Sequence, residues 1–507
     1  MVSKAVELPK EKQKQPIKTA PVMLPPVPQM SVGVEFEEAA PSSHTRSAYF
    51  GIPVSASEMN DYLSPSMDSL MIPGPPESSL LTVGPPTNQD NFGWTQITSG
   101  YKPRNVITLP LPVSIPRGVN SGAQMRESYL LFLLKSFENY RLSKFFRPPA
   151  IIIRDYLTTK MKRSCRILGY LYLGAKIFET LEGKPEEVAM KSCSQWVIRY
   201  SNHVSNTNDS PNPYPSLQEV EDKLNGLLEL VFLKFIVLGT AAGYEGLRHA
   251  LPNFLRLVSD DSMFWVDRGC AGLSISLPAA LITDRIEIRR FVFYDVMYSF
   301  LLGLPTLAEY DSAGFSIAPP EMPVEWVHGV PVELIVNIAE VHNWRAQVNN
   351  VDWRVLEMRT LAWKWNQRDV QSEDSAEMVH RFAVQEAWKH ATLIYIYMGM
   401  CGATSQDPRV EASVQQITKL MRVVGDAPLD VHFSIPSVIA GLASRYESQR
   451  ALILRKLKSF NGMRLWSLQG RDFARVLEYL WHGPAVDGAA IGWEDYVQAR
   501  CKVLPIR

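Results

Sequence analysis

The chain has 507 residues, of which 46% are apolar and 21% are charged, and 52 basic side chains balance 52 acidic ones. This length and composition allow one large hydrophobic core or two smaller ones. A formal net charge of zero provides no overall attraction to nucleic acid or to an anionic membrane surface.

The cysteine pattern indicates the cellular compartment. The chain has five cysteines, which are scattered through apolar segments: Cys165, Cys193, Cys270, Cys401 and Cys501. An odd number of widely spaced cysteines is typical of reduced, buried thiols, so we expect an intracellular protein. The N-terminal residues lack the apolar stretch of a signal peptide, and Glu229 and Lys234 interrupt the apolar run at 224–239. The sequence therefore predicts neither an export signal nor a membrane span.

Residues 1–122 differ in composition from the rest of the chain. They hold half of its prolines, together with many Ser, Gly and Thr residues, and such a segment buries too little apolar area to offset its ordering entropy. We predict that this region is disordered. The lysines of its first eighteen residues are more typical of a solvated tail than of a nuclear-import signal. The acidic and bulky apolar residues at 58–71 suit either a segment that folds into a partner's groove or a linker without a role.

From Met125 onward the apolar residues recur at helical spacing, which predicts an all-α class: a large multi-helix bundle over 123–507. A candidate subdomain seam lies at the prolines of 312–330. Helices are predicted at 129–146, from 151, and at 168–182, 185–202, 217–241, 243–259, 262–281, 285–302, 331–346, 351–366, from 374, 408–424, 434–443, 448–459 and 471–481. In the second of these, Lys160, Lys162, Arg163 and Arg166 are more typical of a solvated helix face than of a phosphate-binding stripe.

The most apolar helix is predicted just after Asp284. Asp284 and Glu287 have the spacing of a capping box, and Gly303 followed by Pro305 predicts where the helix ends. Asp295 and Ser299 lie four residues apart within this helix and therefore share one face. We predict that Asp295 is buried and hydrogen-bonded for structural reasons, and a ligand contact is the alternative.

Catalytic and metal-binding patterns are sparse. Asp260 and Asp261 resemble the start of an aspartate-rich, diphosphate-binding motif, but the third acidic residue is missing. His380 and His390 are ten positions apart on one predicted helix, which makes them poor co-ligands, and no two cysteines have the close spacing of a zinc cluster. Trp466, Trp481 and Trp493 are interpreted as packing residues, since no basic groove accompanies them. We therefore predict no catalytic, cofactor-binding or metal-binding residue and no enzyme activity.

Several apolar motifs follow one another in an order typical of a known family. They are GLPTLAEYD after the apolar helix, AWKHATLIYIYM at 387–398, DPRV at 407–410, HFSIPSVIAGLASRYESQR at 432–450, and the closing LEYLW and GWEDY. Over roughly 125–507 the chain resembles the fungal-specific transcription factor domain, a helical regulatory region found downstream of zinc binuclear cluster modules. The resemblance implies a nuclear transcription regulator that senses an effector or dimerises.

The sequence departs from that family at its N-terminal end. The resemblance implies a six-cysteine, DNA-reading cluster there, whereas the first cysteine of this chain is Cys165. We therefore expect indirect action on DNA, through other regulators, the transcription machinery or a second copy of the chain, or else a gene model that has lost an upstream exon. Two alternatives remain: an all-α enzyme with a terpene-synthase-like fold, and a cytoplasmic helical scaffold.

Overall fold

In the computed structural model, the most apolar stretch of the sequence forms helix Ile286–Leu302, which is α8 in chain order. All of its residues except Ile286 and Arg290 are buried, as expected for a helix in the middle of a large core. The helix ends where predicted, because Gly303 adopts the left-handed conformation, with φ of 63°, and its N–H donates to the carbonyl of Ser299.

The predicted capping box at the start of α8 is wrong. The N-cap is Arg285 and makes no side-chain cap hydrogen bond. The backbone N–H of Arg285 donates to the hydroxyl of Thr283 at 3.3 Å. Glu287 cannot complete the box because its carboxylate accepts hydrogen bonds from Tyr156 and Asn225 on other helices.

The structure describes residues 122–147, 150–182, 187–206, 215–269, 272–313, 323–365 and 375–506. The predicted disorder of 1–121, the lysines of the first eighteen residues and the segment 58–71 lie outside the described residues. Residues 314–322 of the candidate seam also lie outside the described residues. The proposed division of the chain at 122/123 stays a prediction.

Seven helices of the described chain precede or lead into the central one. They are α1 (Gly122–Tyr140), α2 (Ala150–Arg163), α3 (Cys165–Glu182), α4 (Glu187–Asn206), α5 (Leu217–Val237), α6 (Thr240–Ser259) and α7 (Leu277–Ile282). The helices after α8 are α9 (Pro323–His328), α10 (Val332–Arg345), α11 (Trp353–Ala362), α12 (Ser375–Gly399), α13 (Pro408–Val424), α14 (Ser434–Ala443), α15 (Glu447–Ser459), α16 (Gly470–His482) and α17 (Trp493–Val503). The predicted all-α class is confirmed.

One predicted helix, at 262–281, is mostly wrong. After a short 3₁₀ turn, the chain forms strand β1 (Trp265–Asp267) and strand β2 (Leu273–Ser276) before α7 begins. Strand β2 pairs antiparallel with β1 and parallel with β3 (Tyr310–Asp311). Strands of two to four residues are too short to show an alternating pattern, so no periodicity predicts them.

The basic face predicted on α2 is also only partly solvated. Lys160 is buried and pairs with Glu221 and with Glu287, the latter at 3.2 Å. Arg163 pairs with Asp222 at 2.7 Å, whereas Lys162 is exposed as predicted. Ion pairs with acidic residues of α5 and α8 therefore hold part of this basic face against the rest of the protein.

Stacked aromatic rings hold α8 against its neighbours. The rings of Phe254 on α6 and Phe291 lie 4.1 Å apart and nearly parallel, and Phe235 on α5 stacks on Tyr298 at 3.9 Å. Helices α5 and α6 approach closely because Gly243 leaves room for Phe235, whose ring a Cβ atom would meet at 2.4 Å. Helices α10 and α14 also pack against α8.

The buried apolar residues form two clusters that meet beside α8. The larger cluster contains α8 and most of the C-terminal helices. The smaller cluster joins α1, α3 and α4 to one face of α5 and to Trp466. No helix of the described chain is long and apolar enough to cross a membrane.

Candidate ligand cavity

A cavity of about 500 Å³ lies beside α8, where the two hydrophobic clusters meet. Helices α1, α2, α3 and α5 provide one wall, and α8, α9 and the residues around Trp466 provide the other. Cavities of this size that are mostly apolar and contain a few polar groups are typical of small-molecule sites. This cavity is therefore the candidate functional site.

Aromatic side chains form much of the cavity wall. The ring of Trp466 lies 5.6 Å from that of Phe145 and 6.1 Å from that of Phe232. The imidazole of His328 stacks on Phe293 at 3.8 Å and lies 6.0 Å from the ring of Trp466. Rings in these arrangements present flat apolar surfaces to a planar ligand.

Three charged residues, Arg141, Glu229 and Arg290, also line the cavity and are called the charged triad here. Arg141 donates to one carboxylate oxygen of Glu229, and Arg290 donates to the other at 3.1 Å. Arg290 also donates to the hydroxyl of Tyr294 at 3.2 Å. The side chains of Arg141 and Glu229 are only 9% and 6% exposed, so the triad is largely removed from solvent.

The triad is electrostatically stable although it is buried. Burial by itself would raise the pKa of Glu229, but the two guanidinium charges outweigh it and hold this pKa below its usual value. Burial lowers the pKa of Arg141, against the raising effect of Glu229, and a guanidinium stays protonated in proteins. The triad therefore carries two positive charges and one negative charge.

The local sequence explains how each member of the triad reaches the cavity. Arg141 follows the last residue of α1, where its backbone N–H still donates to the carbonyl of Phe137 at 2.9 Å. Its guanidinium lies 4.0 Å from the centre of the Phe232 ring, in a cation–π contact. Glu229 occupies the middle of α5, and Arg290 lies in the second turn of α8.

Several buried side-chain nitrogen atoms around the cavity have no hydrogen-bond partner within the part of the chain that the structure describes. They are Nε of Arg141, Nδ1 of His328 and Nε1 of Trp466. Buried polar groups are normally satisfied in folded proteins. Burial and nearby positive charges lower the pKa of His328 well below its usual value, so this imidazole is neutral.

The predicted burial and pairing of Asp295 are confirmed. Asp295 and Ser299 are both fully buried on one face of α8. The Asp295 carboxylate accepts hydrogen bonds from the backbone N–H of Leu307 at 2.7 Å, from that of Ala308 at 3.1 Å and from the Tyr310 hydroxyl at 2.8 Å. Asp295 and these three donors are called the Asp295 network, and their geometry favours the structural interpretation over a ligand contact.

The other residues singled out from the sequence do not assemble into a site. Asp261 accepts a hydrogen bond from the backbone N–H of Met263 at 3.0 Å and so caps a short turn. The described residues include no group of three or more His, Cys, Asp or Glu side chains that is arranged to hold a metal ion, and His380 and His390 are no exception. Trp466, Trp481 and Trp493 are buried, in agreement with their interpretation as packing residues.

The prediction for the cysteines is only partly confirmed. Cys193 is buried and free, and burial raises the pKa of its thiol to about 11. Cys401 is half-buried, whereas Cys501 is exposed, so the expectation of a core thiol is wrong there. Cys270 and the side chain of Cys165 lie outside what the structure describes.

Comparison with known protein families finds a match, which lies in the C-terminal part of the described chain. Residues 283–504 match the model of the fungal specific transcription factor domain. This segment is a fungal specific transcription factor domain. The resemblance inferred from the sequence motifs is therefore confirmed over these residues, while no curated protein and no solved structure matches the chain.

The domain supports a role in transcription regulation and partners that act in transcription, and its family is not a family of enzymes. The cavity lies at the edge of the matched segment. Arg290, His328 and Trp466 are within the segment, whereas Arg141 and Glu229 come from helices that precede it. Sequence reasoning missed the site because its wall residues are separated by up to hundreds of positions along the chain.

Proposed function

We propose that this protein is a transcription regulator of the fungal zinc-cluster type whose helical region binds a small apolar effector in the cavity beside α8. The observation that carries the proposal is the cavity itself. It adjoins α8, which packs against α5 and α6 on the N-terminal side and against α10 and α14 on the C-terminal side, so a ligand there contacts an element that can transmit a change. A ligand that prefers one of two packings of such a bundle shifts the population toward that packing.

The proposal includes nuclear action through other proteins. The chain contains no six-cysteine cluster, so DNA reading would come from a partner regulator or from a segment encoded outside this sequence. A second copy of the chain is a further candidate partner. No enzymatic step is needed for this role.

Effector binding is tested with a neutral planar probe, naphthylmethanol, and isothermal titration calorimetry on the full chain. Leu171 lines the cavity, and Leu171→Trp replaces its side chain with a bulkier indole that occupies part of the cavity. We expect the wild-type protein to bind the probe and this variant to lose at least about tenfold in affinity, because the ring occupies the same volume.

The matched control is Leu251→Trp on α6, since Leu251 is also partly buried but does not line the cavity. This variant should bind the probe as the wild type does, provided that circular dichroism shows both variants folded. An absence of probe binding, or equal binding by Leu171→Trp, would contradict the proposed cavity function.

The regulatory role is tested separately in yeast. The full chain is fused to a heterologous DNA-binding module upstream of a reporter gene, and a fluorescent fusion reports its location. We expect nuclear fluorescence and reporter output that differs from that of the module alone. Output equal to that of the module alone, with fluorescence confined to the cytoplasm, would favour the helical scaffold instead.

A further inference from the structure

Helix α11 carries apolar residues on two opposite faces. On one face, Leu356 and Thr360 are fully buried, and the helix packs against α10 and α12. The other face carries Val355, Met358 and Ala362, which recur at i, i+3 and i+7 and therefore form one stripe. All three are exposed, and Met358 is 63% exposed. The fold therefore buries only one of the two apolar faces.

The exposed apolar surface continues onto the start of α12. Leu361 in the last turn of α11 is exposed, as are Val379 and Phe382 on α12. The rings of Phe382 and Trp365, which follows α11, lie 6.0 Å apart, so the two helices meet at this end. The α11 patch is defined as Val355, Met358, Leu361, Val379 and Phe382. Grouped apolar side chains of this kind mark interaction surfaces, whereas single exposed ones do not.

The charged side chains beside the stripe of α11 are basic. Arg354 and Arg359 flank it, and Lys364 follows the helix; all three are exposed. Arg359 pairs with Glu340 at 2.8 Å. Arg354 lies 3.8 Å from Asp352 in an exposed pair, which contributes little and leaves this guanidinium available. An apolar partner that carries acidic side chains therefore fits this surface better than a basic partner.

A segment of the chain itself has the matching composition. Residues 59–71, within the acidic and apolar stretch at 58–71, contain Asp61 and Asp68 and no basic residue. Their bulky apolar residues are Met59, Tyr62, Leu63, Met67, Leu70 and Met71. Residues 72–121 separate the segment from Gly122, where the described chain begins. A connection of roughly 50 residues can span up to about 165 Å, which exceeds the diameter of about 55 Å expected for a domain of this length. The segment can therefore reach the α11 patch.

We propose that residues 59–71 bind the α11 patch of the same chain, with their apolar side chains on the stripe and their two aspartates near the exposed basic residues. Because the segment and the patch are joined covalently, modest contacts suffice for binding. An acidic, apolar segment of another protein would have to displace this one. No residue of the α11 patch lines the cavity, so the inference is independent of the proposed effector function.

The test places the photo-cross-linking residue p-benzoylphenylalanine at position 358 of the full chain, because Met358 is the most exposed residue of the patch. Dilute protein is irradiated, and mass spectrometry identifies the cross-linked peptides. We expect monomeric products in which position 358 is joined to residues 59–71. The matched control carries the same residue at position 423, since Val423 is 54% exposed on α13 and lies outside the patch. Its yield of this product should be at least about fivefold lower.

Charge variants test the match between the segment and the patch. Asp61→Lys combined with Asp68→Lys should lower the yield from position 358 about threefold or more, because two attractive contacts become repulsive. Adding Arg354→Glu and Lys364→Glu should restore most of it. The control is Asp90→Lys, which changes an acidic residue outside the segment and should leave the yield unchanged.

The outcomes decide the inference without reference to the cavity. A product that joins position 358 to a second copy of the chain, the absence of a product with 59–71, or equal yields from positions 358 and 423 would overturn it. A yield that the two aspartate substitutions leave unchanged would also overturn it. If circular dichroism shows that the variant at position 358 is unfolded, position 361 replaces it, because Leu361 belongs to the same patch and is also exposed.

Discussion

Helix α8 carries two buried polar clusters that are only one to two turns apart, and their surroundings differ completely. In the Asp295 network, the carboxylate accepts three hydrogen bonds, all from residues within fifteen positions of Asp295 along the chain. The charged triad joins side chains from three separate parts of the chain and borders a cavity. Burial of a polar group alone therefore does not indicate a functional site.

The two clusters differ in what they leave unsatisfied. In the Asp295 network, the three donors all point at the carboxylate. No residue of this network lines the cavity. Beside the triad, buried N–H groups remain without partners within the described residues. The complete Asp295 network stabilises the fold, whereas the triad also borders a cavity in which a ligand can contact it.

The largest effect is expected from Asp295→Leu. The substitution leaves two buried backbone N–H groups and the Tyr310 hydroxyl without an acceptor, which should cost about 3–5 kcal/mol and unfold much of the protein. Thermal and urea unfolding followed by circular dichroism measure this loss. A melting curve that matches the wild type would remove the Asp295 network from the comparison.

A smaller loss is expected from Glu229→Gln. It leaves Arg141 and Arg290 without a counter-charge but keeps an amide oxygen that can accept from them, which should destabilise the protein by about 2 kcal/mol. Urea unfolding measures this loss. Stability equal to that of the wild type would show that the negative charge of Glu229 does not stabilise the triad.

The pH dependence of stability distinguishes the clusters further. Burial raises the pKa of Asp295 to about 7, against the lowering effect of its hydrogen-bond donors. The folded state therefore binds a proton that the unfolded state has lost, and the Asp295 contribution falls as pH rises through 7. Between pH 6 and pH 8 this loss is about 1.4 kcal/mol. It should be absent in Asp295→Asn, and equal pH profiles for the two proteins would show that Asp295 does not titrate there.

The smallest expected difference is between two tryptophans. Trp466 and Trp481 are equally buried, but only the Nε1 of Trp481 has a partner, the carbonyl of Gly441 at 3.0 Å. Trp481→Phe should therefore cost about 1 kcal/mol more than Trp466→Phe, because the lost ring volume is the same in both. Paired urea titrations check this. Equal losses would indicate that the Trp466 indole is satisfied after all.

The sequence alone determined the helical class and the central helix. The apolar residues of α8 recur at helical spacing, and Gly303 ends the helix, because both signals are local and require no knowledge of distant residues. The same holds for Asp407 and Pro408, which begin α13 at the predicted position. Most of the motifs that indicated the family also lie in one helix or at its start, although 432–450 covers α14 and the start of α15, and GLPTLAEYD ends in β3.

The tertiary structure alone decided which charged residues are buried and where the cavity lies. Glu287 was predicted to complete a capping box with Asp284, and Lys160 was predicted to face solvent, but the fold brings the two side chains together as an ion pair at 3.2 Å. Likewise, the triad brings residue 141 to residues 229 and 290. Such contacts depend on how helices cross, and sequence periodicity indicates which face of a helix is buried without indicating what lies opposite it.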